Sequence, residues 1–171
     1  DKGEEAILDS FRIVTKRMVS IFGDRWYGEL QWNNVPEQHI LNKYIIKMQE
    51  EFDIQLVSTC DSHYPNPNAW KDRELYKRLG WLGKGRPEWA EGNSELPAGV
   101  DEIGYELYPK NGEQMWDAYK KYSKEGNAHY QDSLVMKSIT NSYEIAHKRI
   151  ENFMPDTTVR LPNFVVPAGF T

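Results

Sequence analysis

Apolar and polar positions recur along the first half of the chain in two rhythms that alternate. From Glu4 to Phe22 the apolar residues Ile7, Phe11, Val14, Met18 and Ile21 return at spacings of four and three, the period of one helical face. Gly23 then supplies a C-terminal stop. From Trp26 to Trp32 the rhythm shortens to two, with Trp26, Leu30 and Trp32 on one side and Tyr27, Glu29 and Gln31 on the other, which predicts a strand. Asn33-Asn34 opens a turn, Pro36 suits an early helical position, and Glu37 favours the positive end of a helix dipole. The helix so begun is expected to bury Leu41, Tyr44 or Ile45, Met48 and Phe52. Ile54 to Thr59 reads as a short buried strand running directly into Cys60-Asp61-Ser62-His63-Tyr64. Pro65-Asn66-Pro67-Asn68 starts a further helix, Ala69 to Leu79.

Helix, strand, helix, strand, helix with short connections predicts the α/β class, a βα-type segment of a parallel sheet or barrel. Two strands are too few to close a barrel, so the fold is expected to lack its other half, and half a barrel leaves sheet edges that invite pairing with a second chain. Gly80 to Asp101 is rich in Gly, Pro and Trp and reads as a long loop. Ile103 to Tyr108 is read as a strand, and Glu113 to Ser123 as a helix. Asp132 to Phe153 is read as a second helix, capped by Asp132 or Ser133, with Val135, Ile139, Tyr143, Ala146, Ile150 and Phe153 in one stripe. From Pro155 onward the chain reads as extended. The organisation is then 1–80 as an α/β unit, 81–102 as a loop, and 103–171 as a mostly helical extension with an extended connection.

Composition narrows the function. With 39% hydrophobic and 27% charged residues the chain is globular in character, and no run approaches the ~20 apolar residues of a membrane span. The first residues, Asp1-Lys2-Gly3-Glu4-Glu5, carry no secretory signal, and the single cysteine, Cys60, excludes an internal disulfide and suits the cytoplasm. Lys and Arg total 21 against 26 acids, for a net charge of −5, and they are scattered. Tight autonomous binding to DNA rests on a basic face, so it is not expected here. Arg149 and Arg160 are read as solvated surface with nucleic-acid contact as the alternative. The start without Met and the finish at Gly169-Phe170-Thr171 read as the ends of a piece.

Candidate chemistry concentrates in Thr59-Cys60-Asp61-Ser62-His63-Tyr64, at the carboxyl end of a hydrophobic strand. Active sites of parallel α/β folds collect at that end because the loops there converge on one rim. Asp-x-His offers a hard oxygen and an imidazole nitrogen close together, a pair suited to Zn, Mn or Fe, and equally a combination that arises by chance on a surface. Cys60 is read as a small buried residue, with a third ligand or reactive thiol as the alternative. Glu29 could face the same rim or pair with neighbouring strands. His39, His129 and His147 lie on or beside predicted helices and are read as surface histidines. Gly83-Lys84-Gly85-Arg86 lacks the pattern and context of a phosphate loop.

At this point the residues resemble a known family, the bacterial DNA polymerase III alpha subunits. Ile21-Phe22-Gly23-Asp24-Arg25-Trp26-Tyr27-Gly28-Glu29-Leu30-Gln31 is similar to the family's "IFGDRFYLELQ". Leu56 to Tyr64 resembles its "LVATNDVHY". Pro36-Glu37-Gln38, Tyr105-Glu106-Leu107 with Glu113-Gln114-Met115, Ser142 to Ala146, and Leu161 to Gly169 resemble further stretches, in the family's order.

The resemblance implies the carboxyl-terminal half of a PHP domain, a distorted β/α barrel with a multi-metal site at its strand ends, followed by a connection towards the polymerase palm. Asp61 and His63 match the last ligand pair of that site. The implied cofactor is a divalent metal (Zn, Mn or Mg) in an incomplete site, and in some members the site supports 3′–5′ proofreading hydrolysis. The implied partners are the remainder of the polymerase chain, namely the amino-terminal PHP half and the palm, and DNA only in the context of the parent; no membrane is implied. The chain alone is expected to be inactive. Two alternatives stay open: a stand-alone PHP-type phosphoesterase or 3′–5′ exonuclease, and one piece of a split polymerase that assembles with another chain. The sequence departs from the family where it lacks the opening His-x-His segment and the catalytic aspartates. It departs again where Cys60 replaces the usual Asn, and over Pro65 to Asp101.

Overall fold

The computed structural model describes residues 2–33, 35–73, 75–76, 106–125, 129–150 and 154–158. Helix α1 runs Lys2–Phe22 and ends at Gly23, whose φ of 59° lies in the left-handed region that glycine adopts at no steric cost. A single turn at Gly23–Arg25 leads into strand β1, Tyr27–Leu30. Helix α2, Pro36–Phe52, starts with proline in its first turn and stops at Asp53, itself left-handed at φ 51°. Strand β2 is Gln55–Ser58. Residues 70–73 and 75–76 are helical. Helix α3 spans Gly112–Glu125 and helix α4 Asp132–Glu144, continued by a π-helical turn at Ile145–Arg149.

β1 and β2 pair in parallel, Tyr27 opposite Gln55 and Leu30 opposite Ser58, with α2 as the crossover that a parallel pair requires. The described residues thus form a helix-rich α/β arrangement around a two-stranded sheet. α2 lies close on that sheet: a Cβ built on Gly28 would stand 2.6 Å from the Ile45 Cγ2 methyl and 2.8 Å from Leu56 Cδ2.

Helix side chains occupy backbone positions that a further strand would otherwise fill. Asn141 Nδ2 of α4 donates to the Leu56 carbonyl at 2.8 Å and Ser142 Oγ to the Ser58 carbonyl at 2.7 Å. On β1's side the buried Asn42 of α2 donates to the Gln31 carbonyl at 2.9 Å and accepts from the Gln31 N–H at 3.4 Å. Its amide stands in for one residue of a neighbouring strand. At these positions the open edge expected of a half-barrel is covered from within the chain.

The main core joins the two halves of the sequence. Leu30, Trp32 and Leu56 from the sheet region pack with Met115, Ala118, Tyr119, Tyr122 and Val135 from α3 and α4. The Trp32 ring meets Tyr119 and Tyr130 edge-on, at centroid distances of 4.9 and 5.1 Å. A directional relay of hydrogen bonds runs through this core. Ser138 Oγ gives its only proton to the Val135 carbonyl, so Ser58 Oγ must donate to Ser138 Oγ, leaving Ser58 to accept from Trp32 Nε1. A smaller core of Leu8, Met48 and Ile54 sits between α1, α2 and the sheet. Between α1 and α2, Arg12 grips Glu51 with two parallel bonds of 2.8 and 2.9 Å, a pairing that sets geometry more than stability because both side chains are part-exposed.

Several expectations are corrected. The face α1 buries is Leu8 and Thr15, with Phe11, Arg12, Met18 and Val19 half-buried, whereas Ile7, Val14 and Ile21 of the expected stripe are exposed. Apolar residues lie on two sides of this helix, and only the side bearing Leu8 reaches Met48 and Ile54. In α2, Met48 is buried as expected but Leu41 is exposed, and His39 and Asn42 are buried in its stead. The α4 stripe holds at Val135 and Ile139, but the α-helix ends at Glu144, and Tyr143 and Ile150 are exposed. Glu106–Tyr108 carries no strand structure; residues 103–105, the 81–102 loop and the boundaries beside it, residues 77–79 and Phe153 lie outside the described residues. Residues 154–158 have no regular secondary structure, and the rest of the stretch read as extended lies outside the described residues. Among the described residues no helix is long and apolar enough to cross a membrane.

His39 is 3% exposed and its Nδ1 lies 2.8 Å from the Tyr130 hydroxyl, while Nε2 is buried without a hydrogen-bond partner. Burial pushes its pKa below the ordinary 6.5, the nearby Asn33 backbone opposes this, and Lys43 adds to the lowering. The unfolded chain therefore takes up a proton that the folded chain resists. Stability contributed by neutral His39 is present above about pH 6.5 and is lost as pH falls below that value towards the folded pKa. Urea midpoints measured between pH 7.5 and 5 are expected to fall in the wild type, and to fall less in His39→Gln.

Candidate metal centre

β2 ends at Ser58, and Thr59 N–H still donates to the Leu30 carbonyl at 3.1 Å, so the sheet delivers the chain in register to Cys60. From there the backbone is irregular and its path is set by outside contacts. His63 and Tyr64 N–H both donate to the Leu107 carbonyl, at 2.7 and 3.2 Å. The buried Tyr64 hydroxyl accepts from Leu107 N–H at 2.8 Å. Lys110 N–H points at Cys60 Sγ at 3.4 Å. A segment fifty residues downstream thus fixes the carboxyl end of the strand.

Asp61 and His63 come together there. Both side chains are exposed, and His63 Nδ1 lies 2.7 Å from the Asp61 carbonyl oxygen and 3.6 Å from Asp61 Oδ2. A carbonyl can only accept, so Nδ1 carries the proton, and in the neutral form of the ring the lone pair lies on Nε2. This is the arrangement by which ligating histidines are fixed in tautomer and orientation. The pair borders a cleft of about 420 Å³ that also touches Gln31, Asn33, Glu37, Gln38 and Arg73.

The remaining candidates fall elsewhere. Glu29 faces the same strand ends but its Oε1 accepts a short bond from Thr59 Oγ1 and a longer one from Gln31. Cys60 is half-buried, a free thiol packed against the main core beside Met115 and Trp116. Among the described residues no three His, Cys, Asp or Glu side chains form a metal-holding group. The donors that fit a divalent cation are thus two, and a full site would draw the others from outside this set. His129 and His147 are exposed as expected. Arg149 is exposed and bonded to Asp24 Oδ2 at 2.9 Å; Arg160 lies outside the described residues.

Sequence reasoning missed Lys110 and the Leu107 carbonyl. The Lys110 side chain is 2% exposed, with Nζ 2.5 Å from the Glu106 carbonyl and 4.0 Å from the centre of the Tyr108 ring. Burial lowers its pKa, partly offset by Glu106 and Cys60. The four-residue spacing of Glu106 and Lys110 was a visible signal of local pairing; a main-chain carbonyl leaves none. A larger, mostly apolar cavity of about 1340 Å³ lies on the Cys60, Lys110 and Trp116 side and does not include Asp61 or His63.

Comparison with known proteins places this geometry in context. No family model matches the chain. The chain is 32% identical over 159 residues to the DNA polymerase III subunit alpha of Aquifex aeolicus (strain VF5), covering 91% of this chain and 12% of that protein. It is 23% identical over 150 residues to the DNA polymerase III subunit alpha of Borreliella burgdorferi, covering 88% of this chain and 11% of that protein. With the subunit of the same name from Helicobacter pylori (strain 26695) it shares 28% identity over 67 residues, 39% of this chain and 6% of that protein. The chain thus spans about an eighth of the length of the first of these relatives and less of the others. Over 91% of its length, the chain is similar in sequence to a segment of the DNA polymerase III subunit alpha of Aquifex aeolicus.

Proposed function

We propose that this chain is a segment of a replicative DNA-directed DNA polymerase, the carboxyl-terminal part of its PHP region, and that it contributes Asp61 and His63 to a metal site shared with the rest of that polypeptide. The observation that carries the metal reading is His63, held through Nδ1 by its own loop with Nε2 left to ligate. The small parallel sheet and the position of the pair at the end of β2 agree with it. A divalent cation bound there would supply a water of lowered pKa and neutralise phosphate charge, the chemistry of 3′–5′ hydrolysis. The chain's own residues would hold and orient that cation. The helices α3 and α4, packed on β2, would buttress the polymerase core. DNA would be engaged by the parent polypeptide, consistent with the net charge of −5.

The rival is a stand-alone PHP-type phosphoesterase, and one experiment separates the two. The purified 171-residue chain is assayed with Mn²⁺ or Zn²⁺ on a simple phosphodiester, beside an Asp61→Ala/His63→Ala variant, with metal content by elemental analysis. The proposal expects weak, substoichiometric metal and no hydrolysis. Near-stoichiometric metal with hydrolysis, both lost in the variant, would overturn it in favour of the rival. The split-polymerase reading, in which the missing ligands arrive on a second chain, differs from the main one only in whether that polypeptide is covalently joined.

A further inference from the structure

We infer that Lys110 is a positioning residue for the Asp61–His63 pair: its buried side chain shapes the 106–110 strap that holds the loop carrying both groups. The inference rests on the metal reading above and deepens it.

Residues 106–111 carry no regular hydrogen-bonded structure, so their path depends on side chains. The Lys110 stem is buried and its ammonium curls back onto the strap's own first residue, 2.5 Å from the Glu106 carbonyl and 3.9 Å from Glu106 Oε2. The Tyr108 ring closes the curl from the side. Glu106 is anchored in turn from α3, by the Tyr122 hydroxyl at 2.8 Å and by Lys121 Nζ at 3.2 Å. A buried ammonium without partners is costly, so this set of contacts admits few alternative loop shapes.

The curl presents Leu107 to the candidate ligands. Its carbonyl accepts from His63 and Tyr64 N–H, and its own N–H donates to the Tyr64 hydroxyl. At the other end of the strap, Lys110 N–H meets Cys60 Sγ, next to Asp61. The strap therefore grips the Asp-x-His segment on both sides, and Lys110 sets the shape of the grip without itself touching the cation. Residues that act at one remove from a metal in this way commonly change its affinity ~10–100-fold when replaced.

The test compares the wild-type chain with Lys110→Met, and with Lys121→Met as a control that removes an exposed partner of the same Glu106 carboxylate. Amide hydrogen exchange and the ring ¹⁵N shifts of His63 are read by NMR, and Zn²⁺ is titrated while His63 is followed. The amides of Leu56 and Ser58 report whether the sheet is intact. In Lys110→Met the exchange of His63 and Tyr64 N–H is expected to rise at least tenfold. The single Nδ1–H tautomer should be lost and Zn²⁺ affinity should fall ~10–100-fold, with the sheet amides and Lys121→Met unchanged. Should Lys110→Met fail to fold, Tyr108→Leu, which removes only the ring, is expected to move the same signals in the same direction. His63 protection, tautomer and Zn²⁺ affinity equal to wild type would overturn the inference and leave the metal reading standing. A wild-type chain whose His63 signals do not respond to Zn²⁺ would overturn the metal reading, and with it the role given to Lys110.

Discussion

Leu30→Ala is expected to destabilise the chain by about 2–5 kcal/mol, the range for truncating a fully buried aliphatic side chain. Leu30 is 0% exposed and sits where β1 faces the main core of Leu56, Met115, Tyr119 and Val135. Its neighbours come from both strands and from two helices far along the chain, Gly112–Glu125 and Asp132–Glu144, so the site has little freedom to collapse around the lost methyls. The cavity contribution should therefore add to the lost transfer free energy. Set against total stabilities of about 5–15 kcal/mol, the loss would lower the urea midpoint substantially with little change in slope. Ile13 of α1 is the internal comparison: it is 70% exposed, and Ile13→Ala should stay within about 0.5 kcal/mol of wild type. Equal losses at the two positions would mean that the core has been misplaced.

Both strands were legible in the sequence because each bears a pattern that only a strand satisfies. Trp26 to Trp32 alternates, and Ile54 to Thr59 is too short for a buried helix; the structure trims them to Tyr27–Leu30 and Gln55–Ser58. The onset of α2 was legible from Pro36. The face of α1 was not, since Ile7, Ile13, Val14 and Ile21 on one side rival Leu8, Phe11 and Val19 on the other. Which side is buried depends on Met48 and Ile54, far along the chain. The burial of His39 depends in the same way on Tyr130, ninety-one residues later. Nothing in the local spacing marks Asn42 and Ser142 as partners of strand-side backbone, because that role is set by packing. At the candidate site, Asp61 and His63 could be singled out as a pair at a strand end. The tautomer of His63 and the strap behind it could not, because main-chain partners leave no mark on the residues they bind.

Replacing Asp61 and His63 together is expected to have the largest effect on function, because the proposed shared site would lose two donors at once. One imidazole nitrogen is oriented by its own loop, a carboxylate lies beside it, and both sit at the strand end of a parallel pair. Two donors hold a cation poorly, whereas the same two added to ligands from the rest of the polypeptide would complete a site. The effect should therefore be small in the isolated chain and large in the longer protein. The decisive measurement is the metal content, by elemental analysis, of the Aquifex aeolicus alpha subunit in which the matching 159 residues are replaced by those of this chain, with and without Asp61→Ala/His63→Ala. The account predicts bound divalent metal in the first protein and at least one equivalent less in the second, with the fold of both intact. Equal metal content in the two folded proteins, whether zero or not, would contradict it.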